Sequence, residues 1–439
     1  MANIHEKLLN GVMVTVMFQA ATVIVQFVAL LILAKFLDKQ DFGIIAMAVP
    51  CMMFLSIFNE AGFLHATVQA VEVADDQLNH IFWLNIIIGV VLASALVSVS
   101  PLVVWFYGES TLYQILPCYA LAFAMNSVSI QFKAVMSREM NFWHQGLGEF
   151  IPHFTGAVVA IIFALCGGGY WALVLLTVVR FGGRAISFWM LSEWRPSAPA
   201  FKYPNVKEIV RFGGCLTGSS LVGFVAQNAD KVLLGRFCGL EAVGLYYMAQ
   251  RVVLFPVQEL IVPYGRVVVA GLSRVQGDAC EYAKLVKRFL FGLVVIGVPI
   301  LTYLCFDSEW LVVLSFGAEW KELVPYVEIF ACIALIMLAR EPFRWVSMSR
   351  GLGARIFKAT LIVSLVRLLL TVLLLPSGPL AVAGAFLLTT LLCYVPVLVY
   401  IFRGTPISLV DVLSQVGALL VPSILSFLCV SHWGVTGAL

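Results

Sequence analysis

Three cations of this sequence lie inside apolar stretches, where a charge needs a use or a partner: Lys231, Arg251 and Arg367. A charged side chain within hydrocarbon costs about 2.5–3.5 kcal/mol on insertion scales, so it normally faces an opposite charge or a wet cavity. Ammonium and guanidinium groups so placed can bind an anionic group rich in acceptor oxygens. The structural alternative has Lys231 snorkelling outward and Asp230 or Glu259 neutralising Arg251. Glu60, Asp230 and Glu259 are the carboxylates at comparable depth, with Glu149 close to a helix end. Each could take up H⁺ or Na⁺, or equally pair with a cation on a neighbouring helix. Gln26, Gln227 and Asn228 could bond the hydroxyls of a ligand or adjacent helices. The six histidines show no metal spacing, and Glu149 with His153 on one helical face at i, i+4 is a weak signal, so neither metal nor cofactor is expected. There is no GxxxxGK[ST] loop, which leaves no basis for ATP hydrolysis.

The elements that position these residues must be membrane helices. Of 439 residues, 62% are apolar and 12% charged, and the mean hydropathy is +0.99. One soluble core could not hide that much apolar surface. Spanning a bilayer takes about 20 apolar residues, and such runs are expected near 9–35, 42–68, 81–106, 112–133, 147–166, 169–192, 208–237, 241–271, 285–306, 324–347, 356–376, 380–402 and 409–431. The first run is too long for a signal-peptide core and should stay in the mature protein. Pro50, Pro256, Pro263 and Pro299 fall inside spans, where a missing backbone bond permits a kink. The longest connections, Asp307 to Leu323 and Glu193 to Lys207, have about 17 and 15 residues, too few for a domain. The ten cysteines form no CxxC pair and read as small apolar residues, neither disulfides nor ligands.

With the N-terminus in the cytoplasm, twenty of the 27 Lys and Arg residues fall on inner loops or helix ends. Only Lys35, Lys39, Arg236 and Lys321 fall outside, and the remaining three are the intramembrane cations above. The positive-inside rule therefore sets the orientation. A net charge of +3 without a basic cluster beyond these loops gives no case for nucleic acid.

The chain also repeats itself. A shift of 201 residues lays LAKFLDKQDFGIIAMA (33–48) over LGRFCGLEAVGLYYMA (234–249), matching Leu33, Phe36, Gly43, Met47 and Ala48 with Leu234, Phe237, Gly244, Met248 and Ala249. Gln26 falls on Gln227, and Lys35 on Arg236. The copies are six spans apart, an even number, so they run in the same direction through the bilayer as a parallel repeat. In the first copy the counterparts of Lys231 and Arg251 are Leu30 and Pro50, so the halves match in pattern but differ in charge.

The stretch NADKVLLGRFCGLEAVGLYYMAQRVVLFPVQELIVPYGRVVVAGLSRVQGD (228–278) resembles the central motif of the lipopolysaccharide and colanic-acid exporter branch of the polysaccharide flippases. That branch lies within the multidrug/oligosaccharidyl-lipid/polysaccharide superfamily. FLDKQDFGIIAMAVP (36–50), QFKAVMSREMNF (131–142), GGYWALV (168–174) and FGAEWKELVPYVEIFA (316–331) are similar to further family blocks in the same order. The resemblance implies an all-α polytopic protein with two parallel six-helix lobes around a central cavity lined by the first two helices of each, plus one or two C-terminal helices. It departs from the family's usual fourteen helices, since thirteen are counted here. The expected divisions are an N-terminal lobe at 1–193, a cytoplasmic linker at 194–211, a second lobe at 212–403 and an added helix at 404–439.

The implied activity is transport of an undecaprenyl-diphosphate-linked oligosaccharide across the bacterial inner membrane by alternating access. The substrate residues would be Lys231, Arg251, Arg367, Asn228, Gln227 and Gln26, with Asp230, Glu259 and Glu60 coupling to H⁺ or Na⁺. Membrane lipids and other polysaccharide assembly proteins are the candidate partners. A multidrug exporter of the same superfamily would want an aromatic cavity with acidic residues and few cations, which fits less well. A membrane polysaccharide polymerase would want a sizeable outer loop with catalytic residues, and the outer loops here are short.

Overall fold

The computed structural model describes residues 2–60, 75–197, 223–225, 227–403 and scattered positions from 405 to 421. Most of the expected 194–211 linker and of the expected last helix at 409–431 lie outside them. No strand occurs among the described residues, and ten helices are long and apolar enough to cross a membrane, or eleven if one bent pair counts as a single span. The chain is a multi-pass all-α membrane protein.

It divides into two compact units, Met1–Gly244 and Leu245–Leu439. The first contains α1 (Ala2–Leu33), α2 (Lys39–Glu60), α3 (Asp75–Tyr107), α4 (Leu112–Arg138), α5 (Phe142–Leu165) and α6 (Trp171–Leu191), a helical segment α7 at 227–237, and the start of α8 (Gly239–Ala249). Its central helix is α4, buried from Leu112 through Tyr119 and Phe123 to Met136 and packed by α2, α3 and α6. Helices of 21 to 33 residues rise about 32–50 Å at 1.5 Å per residue, enough to span the hydrocarbon and continue beyond it. This is why α4 runs five residues past the expected end, carrying Lys133 and Arg138 inside the helix.

The repeat found in the sequence reappears as a reciprocal contact within this unit. A Cβ added to Gly43 would collide with the carbonyl oxygen of Leu240, and one added to Gly244 would collide with that of Lys39. Leu240 and Lys39 are themselves 201 residues apart, so each copy presses its glycine on the same backbone position of the other. Lys39 Nζ reaches Glu241 Oε1 at 3.4 Å beside the crossing. Asp41, in the first turn of α2, accepts the Asp38 N–H at 3.1 Å and so caps that helix start.

The second unit continues through a five-residue π-helical turn, Gln250–Leu254, into α9 (Phe255–Arg274). There follow α10 (Ala279–Phe306), the short α11 (Glu309–Phe316), a 3₁₀ turn at Ala318–Leu323, α12 (Val324–Ser349), α13 (Gly353–Leu374) and α14 (Pro379–Phe402). The expected outer loop from Asp307 to Leu323 is thus mostly helical. Asp278 starts α10 by accepting the N–H groups of Cys280 and Glu281 at 2.9 and 3.0 Å. Helix α10 bends by 43° between Val295 and Gly297. Pro299 explains the bend, since its ring meets the carbonyl four residues back, that of Val295.

Helix α12 is the central helix here, buried from Tyr326 through Phe330 and Trp345 to Ser349. By contrast, α13 exposes Ile362, Leu365, Leu369 and Leu373 along one face, the inverse of a soluble helix and the surface expected against lipid. Cys305 and Cys332 bring their sulfurs to 3.4 Å between α10 and α12, and both are free thiols.

Candidate functional site

Three of the residues singled out in the sequence come together on α7. Asn228, Asp230 and Lys231 are all buried, Lys231 at 8% exposure, which removes the possibility that its ammonium snorkels outward. Lys231 Nζ donates to Asn228 Oδ1 at 3.0 Å, three residues back on the same face. The amide is oriented by its other end, where Asn228 Nδ2 donates to the Phe224 carbonyl at 3.1 Å. Asp230 Oδ1 accepts the Lys231 backbone N–H at 2.9 Å. The segment therefore sets an ammonium group and a carboxylate side by side, both buried.

Arg251 sits in the π-helical turn that precedes Pro256. The turn has a local cause: Pro256 cannot donate a backbone bond and its ring crowds the carbonyl of Val252, so the helix widens and Phe255 N–H reaches back to the carbonyl of Gln250. The widened turn places the Arg251 guanidinium 4.6 Å from the centroid of the Phe255 ring. Arg367, on α13, lies 3.5 Å from the centroid of Phe386 on α14. Stacking uses the face of a guanidinium and bidentate recognition of an oxyanion uses its edge, so the two uses do not compete. Gln227 is exposed, while Gln26 and Glu259 are half-buried. Glu60 closes α2, and its side chain lies outside the described residues. The described hydrogen bonds and ring contacts join Asn228, Asp230 and Lys231, but they do not link Arg251 with Arg367.

Among the described residues, the most highly connected ionic cluster lies where the charge pattern alone indicates loops and helix ends. Lys133 of α4 donates to Glu149 Oε1 of α5 at 2.7 Å, and Arg184 of α6 bonds the same oxygen. Arg184 also donates to Asn126 Oδ1 at 3.2 Å. His153 Nδ1 rests 2.6 Å from the Glu149 carbonyl oxygen, one turn back on α5. The charge pattern alone counts Lys133 and Arg184 among the twenty inner cations. The signal available in the sequence was Arg180 and Arg184 at i, i+4 on one face of an apolar run, opposite a lone Glu149. In the second unit a comparable pair forms within α12, where Arg344 donates to Glu341 Oε2 at 2.9 and 2.7 Å and to the Ile261 carbonyl of α9 at 3.3 Å.

Comparison with known proteins fits this architecture. A family model described as "Polysaccharide biosynthesis protein" matches residues 32–325, which include the repeated hairpins, Lys231, Arg251 and the Lys133–Glu149–Arg184 cluster. The chain is 22% identical over 355 residues to the lipopolysaccharide biosynthesis protein WzxC of Escherichia coli (strain K12), covering 80% of this chain and 71% of that one. It is 24% identical over 353 residues to the teichuronic acid biosynthesis protein TuaB of Bacillus subtilis (strain 168), covering 80% and 73%. Among solved structures, the lipid II flippase MurJ in an inward closed conformation shares the fold, with a TM-score of 0.75 at 15% identity over 94% of this chain and 93% of that one. With about two thirds of its length matched by that model, the chain belongs to the polysaccharide biosynthesis protein family.

Proposed function

We propose that this protein is a flippase that moves a prenyl-diphosphate-linked oligosaccharide from the cytoplasmic to the periplasmic leaflet of a bacterial inner membrane, with its N-terminus in the cytoplasm. The observation that carries the reading is the family match over 32–325 on a fold shared with a lipid II flippase. The chemistry of the intramembrane cations agrees with it. Ammonium and guanidinium groups are natural counterparts of a diphosphate, and Lys231, Arg251 and Arg367 supply them within the apolar helices. Two lobes, 1–193 and 212–403, would alternate access to a site between them, with Asn228, Gln227 and Gln26 contacting sugar hydroxyls. Asp230, Glu259 or Glu60 would couple the cycle to an H⁺ or Na⁺ gradient.

The deciding experiment reconstitutes the protein in liposomes with a fluorescent undecaprenyl-diphosphate oligosaccharide and follows its appearance in the opposite leaflet, with and without a proton gradient. Movement above that of protein-free liposomes is expected. Liposomes that accumulate a cationic dye but leave the lipid in place would instead identify a multidrug exporter.

A further inference from the structure

The Lys133–Glu149–Arg184 cluster carries more positive charge than its carboxylate can neutralise. Both cations converge on one oxygen, Glu149 Oε1, so the triad holds a surplus of one positive charge. Among the described ion pairs no second carboxylate bonds Lys133 or Arg184. Between Leu112 and Leu191 the sequence has four cations, Lys133, Arg138, Arg180 and Arg184, and two carboxylates, of which Glu139 stands at the end of α4 outside the helix. The triad is set inside the helices, five residues from the end of α4 and seven from the relevant ends of α5 and α6, roughly 8–10 Å from the helix ends at 1.5 Å per residue. Arg184 Nε is buried with no hydrogen-bond partner, so the guanidinium has a donor that its protein neighbours do not use. The cluster is nevertheless reachable, with side-chain exposures of 29% for Lys133, 24% for Glu149 and 16% for Arg184.

We propose that this cluster is an anion site for a phosphate or diphosphate ester headgroup, and that Glu149 occupies it as a stand-in when no ligand is bound. A half-buried surplus cation within the helices calls for an anionic counterpart. A phosphate oxygen offers the same acceptor geometry as a carboxylate oxygen, with more charge and more lone pairs. Lys133 and Arg184 would then turn from Glu149 towards the ligand, with Asn126 Oδ1 still accepting from Arg184, while the Glu149 carboxylate swings aside. The site lies on helices distinct from those of Lys231, Arg251 and Arg367. It deepens the flippase reading by supplying a first contact for a lipid headgroup on one membrane face, and it rests on that reading only for the source of the phosphate.

The test uses the full-length protein in phosphatidylcholine nanodiscs, with binding measured by native mass spectrometry. The probes are farnesyl diphosphate, phosphatidylglycerol and inorganic pyrophosphate, and each variant's melting temperature is recorded in parallel. Lys133→Gln and Arg184→Gln should each weaken farnesyl diphosphate binding at least tenfold. Glu149→Gln, which removes the competing carboxylate, should strengthen it severalfold, a gain that damage to the fold cannot mimic. Preference for farnesyl diphosphate over phosphatidylglycerol would identify a diphosphate ligand. Equal binding of both, with the same response to the variants, would identify a bilayer headgroup at the same anion site. The proposal is overturned if Glu149→Gln weakens binding as the cation variants do, or if none of the three changes it, since the cluster is then a structural ion pair. Because binding is read without transport, a protein that fails to flip lipid could still pass, and a working flippase could still fail.

Discussion

Arg251 is the residue at which charge, backbone and position in the repeat meet. It replaces Pro50 of the first copy, occupies the one π-helical turn among the described residues, and rests on Phe255 at 4.6 Å. A widened turn costs regular hydrogen bonding, and such turns recur at functional positions in helices. Arg251→Ala is therefore expected to abolish surface polysaccharide in a complemented deletion strain while membrane levels stay normal by immunoblot. Arg251→Lys, which keeps the charge but loses the planar fork, should retain part of the export. Normal polysaccharide from the alanine variant would remove Arg251 from the substrate path. At this scale a local pairing needs only helical spacing: Asn228 and Lys231 stand three residues apart on one helix and bond, where the sequence alone offered Asn228 a ligand or a neighbouring helix. The sequence was not legible for Lys133, Glu149 and Arg184, whose meeting depends on the packing of three helices. Their nearness to helix ends made a loop assignment equally consistent with the pattern.

Helices as elements were easier to find than their joints. An apolar run long enough to span hydrocarbon declares itself by composition, so the expected span at 324–347 became Val324–Ser349 and that at 380–402 became Pro379–Phe402. The π turn and the 43° bend were foreseeable only as sites, through Pro256 and Pro299, because the form a helix adopts before a proline depends on its neighbours. The repeat was visible only through its first hairpin for a related reason. The turn between α3 and α4 covers 108–111, whereas α11 and the 3₁₀ turn fill the stretch between α10 and α12, so the register changes. Beyond that insertion Phe132, Lys133 and Val135 correspond to Phe343, Arg344 and Val346 at a shift of 211.

The glycine match carries its own element-scale prediction. Gly43→Ala and Gly244→Ala each force a Cβ against a backbone carbonyl that has no flexible end to move, and overpacking of this kind costs about 1–3 kcal/mol. Each should lower the melting temperature in detergent by several degrees, and by similar amounts, because the two contacts are reciprocal. Gly384→Ala, whose Cβ would meet nothing within 4 Å, serves as the neutral control. If the first two variants melt like the control, the close crossing of the two copies is wrong.

For the molecule as a whole, the sidedness of the membrane gives every site its meaning. The Lys133–Glu149–Arg184 cluster lies towards the α4–α5 turn, so a cytoplasmic N-terminus puts it near the leaflet in which a lipid-linked precursor is made. The opposite orientation would make it an exit. Even without Lys133 and Arg184, the bias of eighteen inner cations against four outer ones argues for the first arrangement, since short basic loops resist translocation. The turns flanking α4 test this directly, because Ser110 and Met140 lie exposed at its two ends. In a variant whose native cysteines are replaced by alanine, Ser110→Cys should react with a membrane-impermeant maleimide in spheroplasts. Met140→Cys should react only after lysis. The reverse labelling pattern would invert the molecule, and with it the direction in which the cationic cluster could receive a substrate.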